Sequence, residues 1–196
     1  MRYLIPRLAH SFHVKSIADN MEKHPWGLNT FSDLLVGAVA YDKHVAFWGS
    51  CFSNFFHCRI TIDGWEWSSS EQYFMYRKAK HFNDAETMAK LLNETNPKKA
   101  KQLGREVKGF DADEWSKVSY DIMHKAVYEK FSQNRYLKDA LLDERLSDKH
   151  FVEGSPVDCI WGVGVSYEDP RVDDETQWRG TNWLGKILDQ VREELK

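Results

Sequence analysis

Glu71 and Lys78 stand seven residues apart, directly after the run Ser68-Ser69-Ser70. The stretch Glu71–Ala79 reads as a helix. Seven residues is close to two turns at about 3.6 residues per turn, so both side chains fall on one face. A carboxylate and an amine on one face, among Tyr73, Phe74, Met75 and Tyr76, are the parts of an acid/base beside a nucleophile. The same residues admit a structural reading. Ser68 and Glu71 fit a capping box, in which the Glu side chain bonds back to the amide that opens the helix. The helix alone does not choose between the two.

Other stretches carry similar pairs of readings. Lys98, Lys101 and Arg105 share one face of a helix opened by Asn96-Pro97, either as a phosphate-binding face or as an ordinary solvated one. Asp158-Cys159-Ile160-Trp161-Gly162-Val163-Gly164 offers a carboxylate, a Trp and two glycines that let backbone approach a ligand, or simply a turn with a packed Trp. Asn182 reads as the cap of the last helix, whose N-terminus would alternatively face an anion. Ser53 and Asn54 lie between Phe52 and Phe55, where an amide can be structural or can read a nucleobase. Trp115 is a core residue or a stacking platform.

Signals for the elements that hold these residues sharpen from Val45 onward. Val45–Trp48 predicts a short strand. Ile60-Thr61-Ile62, Asp63-Gly64 and Trp65-Glu66-Trp67 predict a β-hairpin with a two-residue turn. Helices follow over Glu71–Lys80, from an Asp84 cap to Leu92, from Pro97 to about Val107, and from Asp111 or Asp113 to about Phe131. The last of these carries an apolar stripe of Trp115, Val118, Ile122, Met123, Ala126 and Val127. A shorter helix is expected over Tyr136–Leu142. Leu184, Ile187, Leu188, Val191 and Leu195 make an amphipathic C-terminal helix. Residues 151–182 read as loop, and loops of that length in a compact domain are often functional. Toward the start, 13–23 suggests a short helix, and Leu34–Ala40 is apolar without a decisive period. The expected fold is mainly α, an α+β domain with a small β-hairpin region.

Composition narrows the field. The 196 residues suit one domain plus an extension, and the 42% hydrophobic content suits a sizeable core. A net charge of −3 gives no overall field for nucleic acid, so phosphate binding must be local. Three cysteines without close spacing argue against a disulfide framework and a zinc site. Eight histidines without a paired motif argue against any metal. No stretch approaches the ~20 apolar residues of a membrane span, and the first ten residues lack a signal-like apolar run. The expectation is a cytoplasmic protein without metal or cofactor.

In order along the chain, Phe52-Ser53-Asn54-Phe55, Ser69-Ser70-Glu71-Gln72-Tyr73 with Lys78, Gly104-Arg105, Trp115, Asp158 with Trp161-Gly162, and Asn182 with Leu184-Gly185 resemble the NADAR, or YbiA-like, family. The resemblance covers about residues 44–195 and leaves 1–43 as an extension packed on or covering the domain. Gln72 stands where His is frequent in the family, and Met75-Tyr76-Arg77 where smaller or amide residues are frequent.

This resemblance implies an N-glycosidase that cleaves the bond between ribose C1 and an exocyclic amine. Its substrate would be a phosphoribosylaminopyrimidine of riboflavin synthesis or ADP-ribosylated guanine in DNA or RNA. It aligns Lys78 with the family's catalytic lysine and Glu71 with its glutamate. Lys78 would form a Schiff base at C1, Glu71 would move protons, and Asp158 would hold ribose hydroxyls or act as a second acid/base. Trp115 and Trp161 would wall the pocket beside Gly162. Ser53, Asn54 and Asn182 would contact substrate, and Lys98 and Arg105 its phosphate. Lys78 must be neutral to attack. Burial or a nearby cation such as Arg77 would lower its pKa, while Glu71 would raise it. The alternative is a non-catalytic module that binds ADP-ribose or another nucleotide.

Overall fold

The computed structural model describes residues 31–196. In chain order its main elements are α1 (Phe31–Leu34), β1 (Ala38–Ala40), β2 (His44–Phe47), β3 (Ile60–Ile62), β4 (Trp65–Trp67), α2 (Ser70–His81), α3 (Ala85–Asn93), α4 (Pro97–Arg105), α5 (Ala112–Gln133), α6 (Arg135–Leu141), β5 (His150–Glu153) and α7 (Trp183–Glu194). Single 3-10 turns occupy Glu144–Leu146, Pro170–Asp173 and Glu175–Gln177. The expected α+β class with helices in the majority is what the chain forms. The helix expected over 13–23 lies outside the described residues. The elements group into two compact units, one of residues 31–53 with 136–196 and one of residues 54–135.

The first unit is built on a three-stranded sheet in the order β1-β2-β5. β1 runs antiparallel to β2, with Ala38 opposite Phe47, and β5 runs parallel to it, with Val45 opposite Phe151. A central strand covered on both faces must be apolar throughout, and Val45, Ala46 and Phe47 are fully buried. Val39, Ala46, Val152, Val163, Val165 and Val172 form a common cluster beneath Trp178. The polar end of β2 is held differently. His44 is buried, its Nδ1 lies 3.0 Å from Asp173 Oδ1, and its backbone N–H donates to the same oxygen at 3.0 Å.

α7 packs on β5 through the predicted stripe of Leu184, Ile187, Leu188 and Val191. Gly185 permits the approach: a Cβ there would lie 2.0 Å from the Phe151 carbonyl oxygen. Two expectations change in this unit. The stretch 151–182 opens with strand β5 rather than loop, because the four residues His-Phe-Val-Glu are too few to show a period. The sheet also starts before residue 44, since β1 supplies an edge strand from the ambiguous run Leu34–Ala40.

The second unit contains the expected hairpin. Ile60 pairs with Trp67 and Ile62 with Trp65. Asp63 (φ 54°) and Gly64 (φ 80°) take the left-handed conformations that a type I′ turn requires. Asp84, Asn96 and Asp111 cap α3, α4 and α5 as expected, each accepting a backbone N–H of the first turn.

α2 packs on α3, α4 and α5. Its own cap differs from the Ser68–Glu71 expectation. Ser69 Oγ accepts from the Gln72 N–H at 3.2 Å, while Gln72 Oε1 accepts from the Ser68 N–H at 2.8 Å. Gln72 also donates to the Leu91 carbonyl at 2.9 Å. The cap therefore sits one residue further along.

Candidate functional site

In the second unit α2 carries Glu71 and Lys78 on one face. Glu71 is 4% exposed, and its N–H donates to the Asn54 carbonyl at 3.1 Å. Lys78 is half-buried, with its Nζ 3.8 Å from the centre of the Phe110 ring. Around them stands an aromatic wall. Trp115 lies 5.1 Å from Phe74, 5.9 Å from His81 and 6.4 Å from Phe82, and Phe82 lies 5.4 Å from Phe110.

Burial of the amine pulls the Lys78 pKa below the ordinary lysine range, and this outweighs the Glu71 carboxylate, which acts in the opposite direction. The face of the Phe110 ring beneath the amine also favours the ammonium. Arg77 is not a cause of this shift. Its guanidinium donates to Tyr73 Oη at 2.6 Å and lies 3.8 Å from Asp63. The arrangement can present an amine with a lowered pKa and a buried carboxyl group to one ligand.

Two buried polar atoms flank the start of this helix. Asn54 Oδ1 and Ser70 Oγ meet no hydrogen-bond partner among the described residues, although Asn54 is 6% and Ser70 0% exposed. An unsatisfied buried polar atom costs about 1–3 kcal/mol, so a native chain keeps one where something else can satisfy it.

Lys98 and Arg105 are exposed on α4. The first amides of α4 are occupied by Asn96 Oδ1, which accepts from Lys98 N–H at 2.9 Å and Lys99 N–H at 3.4 Å. The N-terminal contribution to a phosphate site is thereby filled from within.

The remaining expected residues sit in the first unit. Ser53 is buried, and its N–H donates to the Ser50 carbonyl at 2.9 Å. Asp158 Oδ1 accepts the N–H groups of Ile160 at 3.0 Å and Trp161 at 2.9 Å, so the carboxylate shapes its own turn. Trp161 packs edge to face on Trp183 at 5.6 Å. Gly162 answers to packing more than to ligand approach, for a Cβ there would lie 2.7 Å from the Glu153 carbonyl oxygen.

Asn182 is a correction. It occupies the cap position of α7 in a left-handed conformation (φ 53°), but its side chain caps nothing. Its Oδ1 accepts from Glu153 N–H at 3.1 Å and its Nδ2 donates to the Phe151 carbonyl at 2.9 Å, which ties α7 to β5. The first amides of α7 are also taken. Trp183 N–H donates to the Ile160 carbonyl and Leu184 N–H to the Trp161 carbonyl, both at 3.1 Å, so this helix end is turned to a loop rather than to an anion.

Sequence reasoning missed Phe110 and Ser70. Phe110 follows Gly109 in a connection without periodicity, and its place over Lys78 is tertiary. Ser70 lay in plain view within the serine run but was not assigned. Among the described residues no group of three His, Cys, Asp or Glu side chains is arranged to hold a metal, and no helix is long and apolar enough to cross a membrane.

Comparison with known proteins places this architecture. The NADAR domain model matches residues 41–196. Protein irg-1 of Caenorhabditis elegans is 47% identical over 132 residues, 66% of this chain and 61% of that protein. N-glycosidase R617 of Acanthamoeba polyphaga mimivirus is 40% identical over 129 residues, covering 66% of this chain and 75% of its own length. Riboflavin biosynthesis protein VVA0006 of Vibrio vulnificus is 34% identical over 144 residues, 74% of this chain and 35% of that protein. The chain thus spans less than two thirds of irg-1 and about a third of the Vibrio protein. The NMR structure of the Escherichia coli protein YbiA superposes with a TM-score of 0.65 at 28% identity, covering 83% of this chain and 90% of that one. With the family model matched from Tyr41 to the last residue, the chain belongs to the NADAR domain family.

Proposed function

We propose that this chain is an N-glycosidase that hydrolyses the bond between ribose C1 and an exocyclic amine, with Lys78 as nucleophile and Glu71 as proton carrier. One observation carries the reading: the Lys78 amine, packed over Phe110, has its pKa lowered by burial despite the Glu71 carboxylate. The orphaned Asn54 Oδ1 and Ser70 Oγ beside Glu71 support it, as does the similarity to the mimiviral N-glycosidase R617.

The steps balance as follows. A ribose joined through an exocyclic amine opens its ring when the bond from C1 to the ring oxygen breaks and Glu71 gives that oxygen a proton. C1 is then an iminium carbon. Neutral Lys78 adds to it, and the amine of the base leaves with a proton, which exchanges one C1–N bond for another. Water adds to the resulting C1=N bond of Lys78 and releases the open-chain sugar, restoring the amine. The net reaction consumes one water. For Asp158 we propose a role toward ribose hydroxyls, tested by Asp158→Asn.

Two substrate classes suit this chemistry, a phosphoribosylaminopyrimidine and ADP-ribosylated guanine in nucleic acid. The Vibrio relative's name and the absence of a basic composition favour the small metabolite. A cytoplasmic location goes with either. The test offers both substrates to the full chain, follows release of the sugar, and adds borohydride during turnover. The expected result is sugar release from one of them, a reduced sugar adduct on Lys78 by mass spectrometry, and loss of turnover in folded Lys78→Ala. Turnover that survives Lys78→Ala rejects the nucleophile. Binding of ADP-ribose with no turnover of either substrate identifies a non-catalytic binding module instead.

A further inference from the structure

A cavity lies in the unit that does not contain Lys78. It measures about 410 Å³ and is lined by Pro156, the Gly164–Ser166 strip, Asp169, Arg171, Gln177 and Arg179. Ligand-sized pockets begin at roughly 300 Å³, so this space admits more than a single ion.

Its charges are unequal. Arg171 is paired: its Nε lies 3.1 Å from both Asp169 oxygens and its Nη2 lies 2.6 Å from Oδ2. Arg179 is not. Among the described residues its guanidinium meets no carboxylate, and its Nη2 donates only to the Gly164 carbonyl, a neutral acceptor. The cavity therefore holds one cation more than its lining carboxylates neutralise. A guanidinium has five donors in a planar fork, so one carbonyl leaves most of them for a ligand.

The surroundings are fixed in advance. The Arg179 N–H donates to the Val163 carbonyl at 2.8 Å, and Trp178 Nε1 donates to the Val172 carbonyl at 2.9 Å. Val163, Val165 and Val172 are buried in the core of the unit. Gly164 is held at φ +71°, and a Cβ there would lie 3.1 Å from the Arg179 Cβ. Ser166 adds a hydroxyl donor to the wall.

We propose that this cavity is a binding site for a phosphate monoester of sugar-phosphate size, with Arg179 as the main anion contact and Arg171 recruited from Asp169. An Arg fork matches a phosphate better than a single halide ion, because two parallel N–H donors meet two oxygens. Asp169 is a built-in competitor: it holds Arg171 in place and lowers the affinity for a second anion. The site does not rest on the N-glycosidase reading, since none of its residues belongs to the Glu71–Lys78 pair.

The test titrates the full chain with ribose 5-phosphate, and separately with inorganic phosphate, by calorimetry and by amide NMR of Gly164, Val165 and Ser166. The expected result, read at those three amides, is binding of ribose 5-phosphate about tenfold tighter than inorganic phosphate. Arg179→Gln should lose about tenfold or more in affinity read at those amides, while in Lys78→Ala the same amides titrate as in the native chain. Asp169→Asn, which keeps the turn cap but removes the competing charge, should bind tighter, a change that misfolding cannot produce. Equal affinity for the two probes shows a site for the phosphate group alone and overturns the size assignment. Read at those amides, affinity unchanged in Arg179→Gln, weaker in Asp169→Asn, or lost in Lys78→Ala overturns the site.

Discussion

Met75 and Gly104 share one space between α2 and α4. A Cβ on Gly104 would lie 1.9 Å from Met75 Sδ, 2.9 Å from its Cγ and 3.3 Å from its Cβ. The long side chain at position 75 is accommodated by the glycine facing it. Gly104→Ala gains about 1 kcal/mol of helix propensity and meets an overpacking cost of about 1–3 kcal/mol. The cost wins, because the hard contact includes Met75 Cγ and Cβ and rotation of the Sδ end alone does not relieve it. Urea unfolding should show Gly104→Ala destabilised. In a Met75→Ala background the same substitution should become stabilising. Additive effects of the two changes would contradict the shared space.

Lys78 should make the protein less stable than it could be. Burial of its amine penalises the ammonium, so the folded chain releases that proton at a lower pH than the unfolded chain does. Between those two pKa values the unfolded state holds more protons, and stability climbs with pH. Below the folded value the penalty is present in full. Lys78→Met, which has no proton to lose, should therefore be more stable than the native chain at neutral pH. Its advantage should shrink as the pH approaches the ordinary lysine value of about 10.4. Denaturant unfolding of both proteins across that range measures the difference. A gap that does not narrow with rising pH would contradict the buried-amine account.

What could be seen in the sequence was what depends on neighbours along the chain. The Asp63-Gly64 turn, the Asn96-Pro97 helix start, the Asp84 and Asp111 caps and the α7 stripe all fall where local chemistry places them. The face shared by Glu71 and Lys78 follows from helical spacing in the same way. What could not be seen depends on partners far off in sequence. β5 is four residues long and exists because β2 accepts it in parallel. Asn182 has the residue type and position of a helix cap, yet the nearby backbone of β5 claims its amide. The expected Ser68–Glu71 box falls one residue later, on Ser69 and Gln72, because Gln72 also reaches the distant Leu91 carbonyl.

Asp84 should govern stability in acid. Its carboxylate accepts the Lys108 N–H at 2.9 Å, the Thr87 hydroxyl at 2.7 Å and the Thr87 N–H at 3.1 Å. These bonds, led by that from Lys108, hold its pKa down to about 2. An unfolded aspartate titrates near 3.9. The folded value is the lower, so the contribution is complete above the unfolded value and lost as pH falls through about 2. Asp84→Asn should lower the melting temperature at pH 7, and the two proteins should converge as the acid limit is approached. A difference that stays constant down to that limit would assign the effect to shape rather than charge.

Glu71→Gln separates a proton carrier from a structural residue. Glu71 raises the Lys78 pKa against the effect of burial. Replacing it with a neutral amide of the same size removes that opposition, so the Lys78 pKa should fall further and more of the amine should be neutral near pH 7. If neutrality alone limited the reaction, turnover would improve. The proposed mechanism needs the Glu71 proton to open the ribose ring and release the base, so turnover should instead drop by about 10²–10⁴-fold. Reductive trapping of a simple aldehyde on Lys78, which needs only the neutral amine, should become faster at neutral pH. A fall in turnover beside a rise in trapping is a signature that loss of fold cannot imitate. Parallel loss of both would return Glu71 to a purely structural role.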